Sequence, residues 1–421
     1  RPSLVNEFRV SVTRMRVHAR ALDEGADASR ILAIAGLSAS GLPTVTPTGY
    51  AQLGAANPAP LEAASTSCQL EDSIRWRTQG HVWTFGIQAS RRHVDGTAVE
   101  WSPRGTFVFT PDYTSQPRQD YTGDAFASLL TGYPAEFRRD VQFEDYRLRG
   151  WESGAFAQDE FRIGRRLSIH AGVRYSLYPP PAEADNRMVN FNFSHDAPAL
   201  DRFAGRGRAG ASAGVDYNKW ALAPRAGFAW DVFGNGVTVL RGAFSQLYDA
   251  GAYIAQGILA RNPPYADRQD IFSGSLQLGM RLSGGAPAPQ RTALSGAGAM
   301  NRRGGAVYAV EAAERYTPYS DQWGLALQQR LRQDLALEIS GAGSMGMHLH
   351  SAANINQPYP APTPWPYRRY PYEPYLGRIE YLGVAGGSTY YGGQLRLSGR
   401  LGAGPRVNMA YRYAKSIDDA A

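Results

Sequence analysis

Apolar and polar residues alternate strictly through residues 167–178, LSIHAGVRYSLY. Leu167, Ile169, Ala171, Val173, Tyr175 and Leu177 share one side, and Ser168, His170, Gly172, Arg174 and Ser176 share the other. A period of two is that of a β-strand with one greasy and one polar face. The run is also long. Strands of soluble domains usually extend about 5–6 residues, whereas a tilted strand crossing a bilayer needs roughly 9–11, so the greasy side is expected to face lipid. Elsewhere Trp83, Phe85, Ile87 and Ala89 oppose Val82, Thr84, Gly86 and Gln88. Val407, Met409, Tyr411 and Tyr413 oppose Arg406, Asn408, Ala410 and Arg412 in the same way. Such runs predict about thirteen strands, near residues 4–17, 67–78, 81–92, 104–111, 136–149, 151–163, 165–178, 220–232, 236–248, 319–331, 333–345, 388–401 and 404–415.

The connections carry the topology. Short turns are predicted at 78–81, 162–166, 232–237, 330–335 and 401–405, and long polar excursions at 18–66, 179–219, 249–318 and 346–387. This predicts an all-β fold, an antiparallel up-and-down transmembrane β-barrel with short periplasmic turns and long extracellular loops. Two connections break the rule. Residues 112–135, with a short helix expected at DAFASLL, fall on the periplasmic side by parity yet are long, and 149–151 would be a very tight extracellular turn. Aromatic residues gather near strand ends (Trp151, Tyr178, Trp220, Trp230, Phe233, Tyr248, Tyr319, Trp323), as in an interfacial girdle. A soluble β-sandwich is the alternative, which strand length and one-sided loop elaboration disfavour.

Composition narrows the chemistry. The 421 residues carry a net charge of +7, and Lys219 and Lys415 are the only lysines among 44 basic residues. The arginines are dispersed through strands and turns, which argues against a nucleic-acid partner despite the Arg-Gly tract RFAGRGRAG at 202–210. The one cysteine, Cys68, excludes an internal disulfide and a cysteine-based metal cluster. GAGSMG at 341–346 matches a dinucleotide fingerprint but ends a strand rather than opening a helix. His348 and His350 lack an evident third metal ligand, and the adjacent Asp159 and Glu160 point to opposite faces. No enzyme activity, cofactor or metal is therefore expected. Binding character concentrates in 356–381, where Trp365, Tyr367, Arg368, Arg369, Tyr370, Tyr372 and Tyr375 offer stacking faces and anion donors. Packing of those aromatics on neighbouring loops is the alternative.

Several stretches together resemble the Oar-like TonB-dependent outer-membrane receptors, in particular the long acidobacterial type. AQDEFRIGRRLSIHAGVRY carries Gln158, Asp159, Gly172, Arg174 and Tyr175 at matching places. APRAGFAWDVFGNGVTVLRG matches the family's hairpin, with Arg225, Gly227, Asp231, Arg241 and Gly242. Pro318, Tyr319, Gln322 and Trp323 match a strand start, and Tyr411, Tyr413, Lys415, Ser416, Ile417, Asp418 and Asp419 match a terminal motif. These motifs mark barrel architecture and transfer no catalytic role.

The resemblance implies a barrel of about twice the present strand number, an N-terminal plug, a TonB-contacting segment and often a regulatory-like module. None of those is visible here, so residues 1–421 are expected to be part of one incomplete barrel domain, with plug and regulatory-like domain upstream. The expected location is the outer membrane of a Gram-negative bacterium. The implied partners are outer-membrane lipid, the TonB-ExbB-ExbD complex through the missing N-terminal part, and an unidentified extracellular ligand such as a glycan, peptide or siderophore. Gln158, Arg174 and Arg412 are expected to face the lumen. The competing functions are a passive or adhesive surface barrel and a soluble carbohydrate-binding module.

Overall fold

A computed structural model describes all residues except 1–2, 38–40, 55–60, 97–102, 117–118, 120–121, 192–202, 206–212, 214, 250–256, 274–279, 292–305, 311–315, 361–369, 373–376, 403 and 420–421. The main sheet has 13 strands, of which Ala182–Glu183 and Ala306–Val310 are short. The other eleven form a continuous wall. They are β1 (Leu4–Ala19), β2 (Leu61–Arg77), β3 (His81–Gly96), β4 (Tyr146–Ile163), β5 (Leu167–Leu177), β6 (Ala221–Asp231), β7 (Thr238–Tyr248), β8 (Tyr319–Arg332), β9 (Leu335–Asn354), β10 (Arg378–Arg400) and β11 (Arg406–Asp418). Each wall strand pairs antiparallel with the next. β1 and β11 are bonded on one side along their length, so the wall is an open sheet rather than a closed cylinder.

Of residues 104–111 and 136–149, expected as wall strands, only 146–149 lie in the wall, as the start of β4. Thr106–Phe109 and Glu136–Gln142 belong to a separate sheet, and β4 runs unbroken through the expected turn at 149–151. The reason is a change of solvent along one strand. Below Trp151 the outward residues of β4 are mostly apolar (Ala155, Ala157, Phe161 and Ile163, with Ser153 and Asp159 between them), whereas above it Tyr146 and Leu148 turn inward into a core and Arg147 and Arg149 take the outward positions. The apolar phase inverts where the strand leaves the greasy belt, and the sequence pattern imitates a turn. With this correction both irregularities vanish. Long connections follow β1, β3, β5, β7 and β9, and short turns follow β2, β4, β6, β8 and β10.

The long connections fold on one another. Ala266–Phe272, Glu136–Gln142, Thr106–Phe109 and Thr44–Pro47, drawn from three different connections, pair in that order as a four-stranded cap sheet. Phe107, Phe109 and Phe137 are essentially fully buried beneath it with Ala28, Ile34, Leu37 and Met280. Each such phenylalanine contributes roughly 1.5–3 kcal/mol by leaving water. The expected short helix is Ala125–Thr131; Asp124 caps it by accepting from the Phe126 and Ala127 amides, and Gly132 ends it at φ 80°. A second core joins Tyr146 and Leu148 of β4 to Met188, Leu259 and Val310.

Candidate functional site

Pairing register fixes two faces for the wall. Arg174 of β5 lies opposite Phe156 of β4, and Gln158 lies opposite Gly172, so Gln158, Gly172 and Arg174 share the polar face. Arg174 donates to Gln88 Oε1 at 2.6 Å and to Ser176 Oγ at 3.2 Å. Arg241 donates to Gln328 Oε1 at 3.0 Å, and Arg412 donates twice to Gln394 Oε1, at 3.2 and 2.9 Å. Arg225 stands beside Gly172 in register. Neutral amides thus hold the guanidiniums of Arg174, Arg241 and Arg412, and among the described residues no carboxylate pairs with Arg174, Arg225, Arg241 or Arg412. Their positive charge stays on the polar face. Sequence alternation already put Gln88 there, but its role as a guanidinium's partner has no local signal.

The opposite face is mainly apolar, with the Asp159–His81 pair near its short-turn end. Phe85, Ile87, Val173, Leu325, Ile339 and Leu395 occupy this face, all more than a third exposed, as befits a surface covered by something other than water. Trp76, Trp83, Phe161 and Trp230 lie on it towards the short turns, and Trp151, Tyr175, Trp220, Tyr248, Tyr319 and Trp323 towards the long connections. These two belts bracket a greasy band.

The motif residues join strands. Gly227 lies beneath the His170 ring, and Gly242 beneath Phe228, where an added Cβ would come within 2.6 and 2.4 Å of those rings. Trp323 covers Gly343 across the β8–β9 pair and meets Tyr391 edge-on at 5.9 Å. Gly172 leaves room for the Gln158 side chain. Asp231 closes the β6–β7 turn by accepting from the Gly234 amide at 3.0 Å and the Gly236 amide at 2.8 Å. Tyr175 donates to the Lys219 carbonyl at 2.7 Å, and Asp159 pairs with His81 Nδ1 at 2.7 Å. Gln322 lies opposite Ser245 and Ser344, while Ser416 and Asp418 lie opposite Tyr390 and Ser388. Gly343→Leu should destabilise the wall by about 1–3 kcal/mol, because a side chain there displaces Trp323. A urea midpoint equal to that of the unmodified chain would contradict this joint.

In the candidate ligand loop, Tyr370 and Tyr372 are half-buried. The Tyr372 ring packs edge-on against Phe191 at 5.1 Å, and its amide donates to Asn356 Oδ1 at 3.1 Å. Trp365, Tyr367, Arg368, Arg369 and Tyr375 lie outside the described residues. His348 stacks on Tyr316 at 4.4 Å.

Sequence reasoning missed three buried asparagines that fasten the long connections. Asn262 donates to the Val189 and Tyr308 carbonyls at 2.6 and 2.8 Å and accepts from the Tyr308 amide at 2.7 Å. Asn190 holds both backbone groups of Val310, and Asn356 bonds Gly377 and Tyr372. Their partners are far away in sequence, so no local pattern marks them.

The cap sheet also holds a titrating cluster. Glu136 pairs with Arg138, and Asp270 lies beside them; burial chiefly, and then Asp270, pushes the Glu136 carboxyl up to about 7. Because the folded-state value exceeds the ordinary 4.5, the native cap binds more protons than the unfolded chain between about pH 4.5 and 7. Its stability should therefore fall as pH rises through that window and be lowest above it. Amide exchange at Phe137–Val141 should be slower at pH 5.5 than at pH 8 after correction for intrinsic rates, and Glu136→Gln should flatten the difference. Protection that grows from pH 5.5 to 8 would contradict the assignment.

Among solved structures the chain resembles the outer membrane transporter YddB from Escherichia coli, at 11% identity and a TM-score of 0.46, covering 89% of this chain and 37% of that one. It resembles the copper transporter OprC at 12% identity and a TM-score of 0.39, covering 86% of this chain and 40% of that one. It also resembles the siderophore receptor PirA from Acinetobacter baumannii, at 9% identity and a TM-score of 0.42, covering 89% and 40%. The chain thus spans well under half the length of these structures. No curated protein matches the sequence. The family model described as the outer membrane beta barrel domain matches residues 1–421. With its two-faced wall, aromatic belts and one-sided elaboration, the chain belongs to the outer membrane beta barrel domain family, and its place is the outer membrane of a Gram-negative bacterium.

Proposed function

We propose that the chain is the barrel portion of an Oar-like, TonB-dependent receptor that captures an extracellular ligand and takes it up across the outer membrane. The observation that carries this reading is the cap, in which separate long connections build one folded layer with its own core at a single end of the wall. An organised surface of that kind suits ligand capture, and the segment bearing Trp365, Tyr367, Arg368, Arg369, Tyr370, Tyr372 and Tyr375 is the proposed contact region. The polar face, with Gln158, Arg174 and Arg412, is the proposed lumen lining. Guanidiniums held by neutral amides favour anionic solutes along it. The proposed organisation makes residues 1–421 part of one barrel domain, gated by a plug and energised by the TonB-ExbB-ExbD complex through that plug. β1 and β11 run in the same direction, so antiparallel closure needs an odd number of further strands.

The test is uptake by cells carrying the complete receptor, using labelled siderophores, glycans and peptides with and without a proton-motive-force uncoupler. Internalisation of one class, abolished by the uncoupler, is the expected result. Surface binding without internalisation would instead favour a passive or adhesive barrel.

A further inference from the structure

A concavity of about 730 Å³ opens on the apolar face of the wall across β5, β6, β7 and β8. Ala171, Ala226 and Gly242 form its floor, and Phe228, Trp230 and Phe244 rise beside them. Register produces this shape. Ala171 lies opposite Ala226, so two small side chains meet on one rung, while Phe228 lies opposite Gly242 and leans over it. The lining is almost wholly carbon. The groove reaches the short-turn end, where Leu167 lies opposite Trp230.

Charge gathers where the groove ends. Arg162, Arg165 and Arg166 are all exposed in and beside the β4–β5 turn, and Arg330 and Arg332 are exposed beside the β8–β9 turn. The Arg166 guanidinium lies over Gly234 of the neighbouring β6–β7 turn, where an added Cβ would fall 2.5 Å from Nε. Among the described residues none of Arg162, Arg165 and Arg166 forms an ion pair. Asp231, the acid of the neighbouring turn, is engaged by the Gly234 and Gly236 amides.

We propose that this groove and turn seat one anionic phospholipid of the periplasmic leaflet, with an acyl chain along Ala171, Ala226 and Gly242 and the phosphate on Arg165 and Arg166. The groove opens into hydrocarbon, where an unpaired peptide strand could not satisfy its backbone groups. An acyl chain has none to satisfy. Guanidiniums suit a phosphate through forked hydrogen bonds, and basic side chains at headgroup level attract anionic lipid.

Native mass spectrometry of the full chain, exchanged from detergent into equimolar phosphatidylglycerol and phosphatidylcholine of matched chains, tests the seat. The chain should retain phosphatidylglycerol about fivefold or more over phosphatidylcholine. R165Q/R166Q should bring the ratio close to one with lipid still bound, whereas Ala226→Leu, which fills the floor, should lower retention of both lipids. Equal retention by the unmodified chain would overturn the proposal. So would a preference that survives R165Q/R166Q, since the anion would then sit elsewhere on the basic rim. R165Q/R166Q changes only exposed turn side chains, so it decides the matter even where Ala226→Leu fails to fold.

Discussion

Val173→Arg is expected to block insertion and assembly of the wall, at about 2–4 kcal/mol if the residue sits near the bilayer midplane. Val173 lies midway along β5, 44% exposed on the apolar face, between Ala157 of β4 and Pro224 of β6 in register. Both in-register neighbours are apolar, and Asp159, one rung further along β4 on that face, is already engaged by His81 Nδ1. Tyr175 and Trp220 lie above it and Trp230 below it, so the charge falls between the aromatic belts and has the longest path to either interface. Arg174, the next residue, is already a guanidinium and is accommodated because it points to the opposite face and donates to Gln88. Arg174→Gln should therefore assemble normally. The measurement is the fraction of chain in the heat-modifiable, folded band after refolding into vesicles. Equal yields for Val173→Arg and Arg174→Gln would contradict the assigned facing.

Asn262→Leu should loosen the packing of the long connections on one another without disturbing the wall. Asn262 is 1% exposed and serves three backbone groups, the carbonyls of Val189 and Tyr308 and the Tyr308 amide. Leucine is of similar size but leaves all three groups buried and unpaired, at about 1–3 kcal/mol each. A total loss above about 3 kcal/mol exceeds what the surrounding apolar contacts of one loop junction supply. The expected readout is rapid proteolysis within 178–220 and 306–310, while the wall keeps its heat-modifiable band. An unchanged cleavage pattern would mean that the long connections are fastened by other contacts.

The wall was legible because bilayer and lumen impose opposite solvents on alternate residues, so LSIHAGVRYSL carries its own assignment to β5. Legibility fails where that constraint ends. β9 and β10 extend to Asn354 and start at Arg378, beyond the alternating runs, with register shifts near Leu349 interrupting the pattern. Tyr146 and Leu148 reverse the phase of β4 because a protein core replaces lipid as their neighbour. The cap strands are short, and their partners come from other connections. Phe107 and Phe137 look alike in the sequence whether they face lipid or each other, and only long-range pairing at 4.8 Å decides. The motif residues were recognisable as a set, but the reason for several, a ring lying on a glycine of the next strand, requires the register.

The most direct test of the two-faced wall uses nitroxide labels placed by single cysteine substitution at Thr84, Phe85, Ile87 and Gln88 in a Cys68→Ser background, in lipid vesicles. Oxygen accessibility should be high at Phe85 and Ile87 and low at Thr84 and Gln88, with the reverse order for a water-soluble nickel chelate. Accessibilities that do not alternate, or that show water at all four positions, would contradict a wall with lipid on one face and a polar interior on the other.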